Sequence, residues 1–524
     1  MFVAFPPVGL SAFGWLAPIA LIELVRRKQS WTRADYFAVW IGSLLQWLVL
    51  LYGIRIAHIW LNAGWLLLSG YLACYNVAFV GLSRVARQRL RISLLVACPV
   101  IWVGLEYARG FLVTGFSLAL LAHSQVHWTS LLQVADLFGA YAVSYVMMTV
   151  AVAMLLAWHH RREFKKALIP VFIASALFAG VLGYGFYRLG EAPPDQARKA
   201  TIALLQGSMD TIFEDNPTRD LEMFWQYRDQ TFQLAASGQP LDLIVWPESS
   251  FILPEIHFDE ANLPSDDAEE RKIAIENQDK FNQIRLWLAS HVAELYRAST
   301  NQSEFSPQLI IGTQSAVYAK RRRIYNAAML LDRQGEIVQR YFKMHPVLFG
   351  EVLPFGNLLP FLYDLSPMSM GMSVGEQPLN FKVGDIRLCP NICFEITVPH
   401  LIRRQFLQVA EDRRPDAFIN LTNDGWFWGS SILDFQFAGA VFRAIENRCP
   451  VLVAANCGIT AHIDGAGRIV ERLPRQQMKI IVARLSADGR SPAYHLWGDW
   501  PAAFCLGFTV LLGIVAVRWP FRAV

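Results

Sequence analysis

Six stretches within the first 190 residues are long and apolar enough to leave water, and a seventh follows only near the C-terminus. They fall near 8–25, 36–54, 63–83, 92–108, 132–157 and 167–187, and then near 501–517. A helix that crosses a bilayer needs about 20 mostly apolar residues, because its backbone polar groups must be satisfied within the segment. This pattern divides the chain into three parts. Residues 1–190 form a transmembrane domain of six candidate spans, 191–490 a water-facing domain, and 491–524 a C-terminal transmembrane helix with its tail. Hydrophobic residues make up 54% of the 524 and charged residues only 17%, a balance too apolar for an ordinary soluble protein. The first span has no charged segment before it and follows Phe5-Pro6-Pro7, which argues against a cleaved signal peptide.

The loops set the orientation. Arg26, Arg27, Lys28 and Arg33 follow span one; Arg84, Arg87, Arg89 and Arg91 follow span three; Arg161, Arg162, Lys165 and Lys166 follow span five. The alternate loops carry only Arg55 and Arg109. Positive loops stay in the cytoplasm, so Met1 and the whole 191–490 domain are expected outside it, and Arg518 and Arg522 inside. Gly110–Trp128 is apolar but broken by Gly115, His123, Ser124 and Gln125, and reads as an interfacial or re-entrant piece on the outer face. Glu106, near the outer end of span four, either snorkels or lines a polar cleft.

The net charge of +4 calls for no nucleic-acid partner. Seven cysteines without paired spacing, three of them (Cys74, Cys98, Cys505) in apolar spans, suggest neither a disulfide framework nor a metal site.

In the water-facing part, short apolar runs alternate with helical patterns, as in a layered α/β domain. Strands are expected at Ala200–Gln206, Leu241–Trp246, Gln308–Gly312, Ile324–Leu331, Ile337–Tyr341, Leu388–Cys393, Ala417–Leu421 and Val451–Ala455. Asp332-Arg333-Gln334-Gly335 is a hairpin signal. Helices are expected at Leu221–Ser237, Lys280–Arg297 and Ile432–Asn447, and the acidic stretch 254–280, with Asp266, Asp267, Glu269 and Glu270, reads as an exposed insertion.

Three of the strands end in reactive groups: Glu248 after Val245-Trp246-Pro247, Lys343 after Tyr341-Phe342, and Cys393 after Asn391-Ile392. Sites form where strand ends meet along one edge of a sheet. A thiol needs a base or a nearby cation to become a useful nucleophile at neutral pH, and a carboxylate and an ammonium supply both. The structural alternatives are a surface lysine leaving a hairpin, a helix-capping glutamate and a buried cysteine.

The segments VWPES (Val245–Ser249), YFKMHPVLFGE (Tyr341–Glu351), NICFE (Asn391–Glu395) and NDGWF (Asn423–Phe427) resemble the carbon–nitrogen hydrolase, or nitrilase, superfamily. With the multispan domain in front and TGFSLALLAHSQ (Thr114–Gln125) on its outer face, the chain looks like that superfamily's membrane-bound apolipoprotein N-acyltransferases. The resemblance implies an α-β-β-α sandwich joined to a multispan α-helical membrane domain. It implies acyl transfer at the outer face of a bacterial inner membrane, from a phospholipid donor through a cysteine thioester to a diacylglyceryl-modified lipoprotein, with no cofactor or metal. Glu248 matches the base, Lys343 the lysine and Cys393 the nucleophile; Glu351 matches a carboxylate that supports the lysine, and Glu395 the carboxylate after the cysteine. Trp426, Phe427, Trp428, Leu348 and Phe349 either guide lipid or simply pack.

Two positions and one segment depart from the family pattern. Phe394 stands where a tyrosine is usual, Phe213 where a tryptophan is, and the usual extra span before the Phe-Pro segment is not seen. A membrane-anchored amidase hydrolysing a small amide would use the same three groups without lipid.

Overall fold

The computed structural model describes residues 2–56, 58–193, 198–210, 217–259, 268–300, 306–319, 322–347, 350–352 and 371–518. Pro194, Asp195, Phe213, Asp266, Asp267, Leu348, Phe349 and Arg522 lie outside these residues.

Helices occupy each apolar stretch. They run Phe13–Arg26, Arg33–Leu50, Leu61–Gln88, Leu94–Arg109, Ala140–His159, Phe164–Gly190 and Trp500–Arg518. Four are long and apolar enough to cross a membrane: Leu61–Gln88, Ala140–His159, Phe164–Gly190 and Trp500–Val517. The expected span at 132–157 starts later, at Ala140. Before it lie two single turns, Thr129–Leu132 and Ala135–Phe138, broken from the helix by Gly139 at φ +71°. The C-terminal helix packs against Leu94–Arg109 across Gly104, where a Cβ would stand 2.7 Å from the Cys505 carbonyl oxygen.

The segment after Leu94–Arg109 folds back into the protein, and Leu118–Gln125 is buried. Glu106 does not snorkel. It is buried, and its Oε1 accepts the Leu121 N–H at 2.8 Å, while Arg109 donates to the Leu118 carbonyl at 3.1 Å. Gln125 donates to the Ser11 carbonyl at 2.8 Å and accepts from Trp15 Nε1 at 3.0 Å. Irregular backbone among apolar helices is tolerable when its polar groups are met in this way.

The second domain is built on two sheets. Its strands are β1 (Lys199–Gln206), β2 (Leu243–Val245), β3 (Glu255–Phe258), β4 (Gln308–Tyr318), β5 (Arg323–Leu331), β6 (Ile337–Phe342), β7 (Phe381–Val383), β8 (Ile386–Ile392), β9 (Ala417–Thr422), β10 (Val451–Ala455), β11 (Ala461–Ile463), β12 (Ile469–Arg472) and β13 (Lys479–Ser486). Among the described residues one sheet runs β13-β1-β2-β4-β5-β6, with β3 beside β4, and the other β12-β11-β10-β9-β8-β7.

Alternation along the strands explains the layers. Ile202 and Leu204 of β1 point into the core between the sheets, together with Val245, Leu388, Ile419 and Leu452. Ala203 and Leu205 point outward, onto Phe224 and Tyr227 of helix Pro217–Ala236 and Phe281 and Leu288 of helix Ala268–Thr300. On the far side Cys389, Phe418 and Val453 meet helices Pro399–Ala410 and Ile432–Asn447, in a cluster continuous with the membrane helices. The result is the α-β-β-α sandwich, with its second helical layer seated on the first domain. Much of the stretch 254–280 is ordered secondary structure, contrary to the insertion reading: β3 lies in it, and the long helix begins at Ala268, not Lys280. Glu269 and Glu270 in the first turn favour that start, because carboxylates complement the positive end of a helix.

Candidate active site

β2 and β6 run in the same direction in one sheet, and β8, β9 and β10 are parallel in the other. Their C-terminal ends deliver Glu248, Lys343, Cys393 and Asn423 to one region of the domain. Glu248 arrives because the backbone at Pro247 comes close to β4: a Cβ at Gly312 would lie 2.1 Å from the Pro247 carbonyl oxygen, so only glycine fits. Lys343 leaves β6 with its N–H donating to the Asn326 carbonyl at 2.9 Å.

Cys393 follows β8 at φ +54°, a backbone state that non-glycine residues rarely adopt, and opens a short helical turn, Cys393–Thr397. Such strain gathers at functional sites and costs on the order of 1–3 kcal/mol. Glu395 holds the turn. Its Oε2 accepts the Ile392 N–H at 2.6 Å and the Tyr341 hydroxyl at 2.9 Å, and its Oε1 accepts the N–H groups of Met344 at 2.6 Å and His345 at 3.0 Å. Burial nevertheless pushes its carboxyl up to about 7.

Lys343 Nζ, buried, lies 2.8 Å from Glu351 Oε1 and 3.5 Å from Glu248 Oε1. Asn326 Nδ2 donates to the same two oxygens, at 3.2 Å and 2.5 Å. The Asn423 N–H donates to Glu248 Oε2 at 2.6 Å and the Val347 N–H to Glu351 Oε2 at 2.8 Å. Burial opposes the Lys343 charge, but Glu351, Glu248 and Cys393 outweigh it and hold the ammonium well above its ordinary range. Burial likewise opposes the Glu351 charge, and Lys343 overcomes it, so that carboxyl sits below its ordinary range.

Cys393 is half-buried and feels both Glu248 and Lys343. Burial, then the Glu248 carboxylate, pushes the thiol well above its usual range, and Lys343 pulls the other way. At rest the sulfur therefore keeps its proton. It becomes nucleophilic only if a base takes that proton as attack begins.

The structure thus gathers the sequence-identified Glu248, Lys343 and Glu351 into one contact network, with Cys393 in its field and Glu395 beneath the cysteine turn. Phe394 has a different setting. It stacks on His345 with ring centroids 6.1 Å apart and, with Phe427, packs against a cluster containing Phe5, Trp47, Leu50 and Phe116 of the first domain. Trp428 is exposed, at φ +45°. A cavity of about 300 Å³ adjoins Glu248 through Ser249 and Asn423, lined also by Asp210, Phe251, Thr313 and Asn456.

Sequence reasoning missed Asn326, for which a buried amide within the apolar run Ile324–Leu331 was the available signal.

Comparison with known proteins agrees with this layout. Residues 1–153 match the apolipoprotein N-acyltransferase N-terminal domain, and residues 201–493 match the carbon–nitrogen hydrolase domain. An apolipoprotein N-acyltransferase of Rhodopirellula baltica is 34% identical, over 99% of this chain and 95% of its own length. One from Geobacter metallireducens is 30% identical, over 98% of this chain and 93% of its own length. Among solved structures, an amidase from Nesterenkonia sp. is 17% identical with a TM-score of 0.35, covering 59% of this chain and 99% of that one. With an identity of 34% sustained along almost its full length, the chain belongs to the apolipoprotein N-acyltransferase family, in the carbon–nitrogen hydrolase superfamily.

Proposed function

We propose that this protein transfers a fatty acyl chain from a membrane phospholipid, through a thioester on Cys393, to the N-terminal amine of a diacylglyceryl-cysteine lipoprotein. The observation that carries this reading, beyond family membership, is the seat of the cysteine turn: Phe394 and Phe427 pack onto Trp47, Leu50 and Phe116 of the helical domain. Both substrates carry acyl chains that lie in a bilayer, so a nucleophile at this junction meets them where they are.

In the first step Glu248 takes the Cys393 proton, and the sulfur attacks an ester carbonyl of the phospholipid. Lys343, kept charged by Glu351, stabilises the oxyanion together with the Phe394 N–H. The ester C–O bond breaks, Glu248 returns the proton to the departing lysophospholipid oxygen, and the thioester remains. In the second step the lipoprotein amine attacks. An α-amine has a pKa of about 7.7–8.0, so Glu248 can receive its proton as the amide forms. The C–S bond breaks, and the sulfur recovers the proton. The apolar surroundings favour amine over water as the acceptor. The basic loops support placing the hydrolase domain on the extracytoplasmic side of the inner membrane.

The test uses the full-length purified protein. It is incubated with phospholipid and examined by mass spectrometry for an acyl adduct on Cys393, and a diacylglyceryl peptide is then added. Adduct followed by acylated peptide is the expected result. No adduct, or an adduct that passes only to water, overturns the assignment.

A further inference from the structure

The cavity of about 300 Å³ beside Glu248 has no part in this reaction scheme, and its lining sets it apart from the lipid side of the site. Thr313 and Gln314 come from β4, Ser249 and Phe251 from the loop between β2 and β3, and Met223 from helix Pro217–Ala236. Phe251 and Met223 belong to the core under the outer helical layer. Among the described residues, none of those lining the cavity belongs to the apolar clusters that reach the membrane helices, whereas Phe394 and Phe427 do.

The cavity touches the base directly and is polar there. Asn423, which lines it after β9, donates its N–H to Glu248 Oε2 at 2.6 Å, and its Oδ1 accepts from Asn456 Nδ2 at 3.0 Å. Asn456 and Thr313 are each 1% exposed. Ser249, the residue after Glu248, takes φ +53°, a costly state for a non-glycine residue and one that gathers at functional sites. Asp210 and Asp220 stand against Arg219 in the same lining, which leaves one carboxylate in excess. Such a space fits a polar segment. An acyl chain would strip water from these amides and carboxylates without replacing its hydrogen bonds. The volume lies at the small end of ligand sites.

Three arms leave the α-carbon of the acceptor's first residue: the amine, the thioether that carries the two acyl chains, and the carbonyl of the peptide that follows. The amine must reach the thioester beside Glu248. The acyl chains belong at the junction with the helical domain, where Phe394 and Phe427 pack. The peptide must leave by another way, and the cavity extends from Glu248 into the outer half of the sandwich. We propose that this cavity is the peptide subsite of the acceptor: it holds the residues that immediately follow the lipid-bearing cysteine and favours neutral or basic side chains over acidic ones. The inference rests on the acyl transfer described above and adds where its second substrate is held. The cavity then serves the second half-reaction alone, because a phospholipid has no peptide to place there.

The test loads the full-length protein with an acyl group from phospholipid and then times transfer separately from acylation. The acceptors are diacylglyceryl-cysteine amide and the same cysteine followed by Ser-Ser, Ser-Lys or Ser-Glu. At low acceptor concentration the wild type should transfer to the Ser-Ser peptide about tenfold faster than to the amide, the scale of one or two net hydrogen bonds, and the gap should narrow at saturation. The Ser-Lys peptide should react several-fold faster than Ser-Glu. Gln314→Trp adds bulk at an exposed lining position, and it should erase both preferences while Cys393 acylation stays within twofold of wild type. A wild type that uses the amide as well as the peptides, or Ser-Glu as well as Ser-Lys, overturns the proposal without any variant. So does a Gln314→Trp protein that keeps both preferences or slows acylation as much as transfer. If the wild type forms no adduct from phospholipid, the acyl-transfer reading itself fails, a result distinct from these because acylation precedes any use of the acceptor.

Discussion

Glu395 Oε1 accepts the backbone N–H of Met344 at 2.6 Å, and so fastens the turn that carries Cys393 to the strand end that carries Lys343. The two groups lie on different sheets and would otherwise be related only through the apolar core. In Glu395→Gln an NH₂ group must face N–H donors that now meet oxygen, leaving buried donors unpaired at about 1–3 kcal/mol each. Acylation of Cys393 should fall by roughly a hundredfold, the scale of loss that a small misplacement of reacting groups produces. Measuring the adduct rate checks this, and a rate within twofold of wild type would refute it.

Glu395 also makes stability depend on pH. Its folded value of about 7 lies above the ordinary glutamate value of about 4.3, so the fold binds this proton more tightly than the unfolded chain does. The resulting stabilisation is complete below the ordinary value and is lost as pH rises through about 7. The unfolding temperature in detergent should therefore fall between pH 5 and 8, and fall less in Glu395→Gln. Equal slopes for the two proteins would show that the carboxyl does not titrate there.

Lys343 depends on Glu351 for its charge. Burial alone would lower the ammonium, and the 2.8 Å contact with Glu351 is the foremost force against that. Glu351→Gln removes the charge and keeps the shape, so the lysine value should drop and the alkaline limb of the acylation profile should move to lower pH. At its optimum the variant should be slower by about tenfold or more, as expected for the loss of a charge-assisted contact worth about 1.5–3 kcal/mol. An unmoved alkaline limb would mean that Glu351 does not govern the lysine.

Strand ends were legible in the sequence because Glu248 and Lys343 each follow an apolar run with a group that such runs exclude, whereas Cys393, a residue that apolar runs admit, was marked by the motif around it. The hairpin at Asp332–Gly335 was legible for a similar reason: Gly335 takes φ +86°, and Asp332 Oδ1 caps the N–H groups of Gln334 and Glu336. Asn326 was not legible. It lies within β5, and its meeting with Glu248 and Glu351 depends on how β5 sits between β4 and β6 and on where the loop carrying Glu351 returns. The start of the long helix at Ala268 was hidden because its first turns are polar, and polarity alone reads as loop. Glu106 was ambiguous because burial at a helix end is decided by the chain that folds over it, here Leu118–Gln125.

Asn326 offers one amide NH₂ to two carboxylates that share one ammonium. Asn326→Leu removes a neutral side chain that, alone among the described residues, donates to both Glu248 and Glu351. Lys343 must then balance the pair alone, and acylation should fall by roughly ten- to a hundredfold, from the loss of bonds to charged groups worth about 1.5–3 kcal/mol. The adduct rate at fixed lipid concentration measures it. Retention of the full rate would show that the lysine suffices.

The two domains are joined by a buried charge network that gives a separate prediction. Asp136, in the turn before helix Ala140–His159, receives Arg448 of the hydrolase domain at 2.5 Å and 2.9 Å and Arg188 at 2.7 Å, and the Tyr184 hydroxyl donates to its other oxygen. Arg448 also donates to Gln133 at 2.7 Å. Asp136 and Arg448 are both fully buried. Removing one partner of such a pair strands the other charge without water, at about 3–5 kcal/mol. Asp136→Asn leaves two arginines facing a neutral amide, so its unfolding temperature in detergent should drop by several degrees. The loss should come with Cys393 acylation impaired less than in Glu395→Gln, since no group at the sulfur has changed. An unfolding temperature equal to wild type would mean that the arginines find other partners and that apolar packing alone holds the hydrolase domain to the helices.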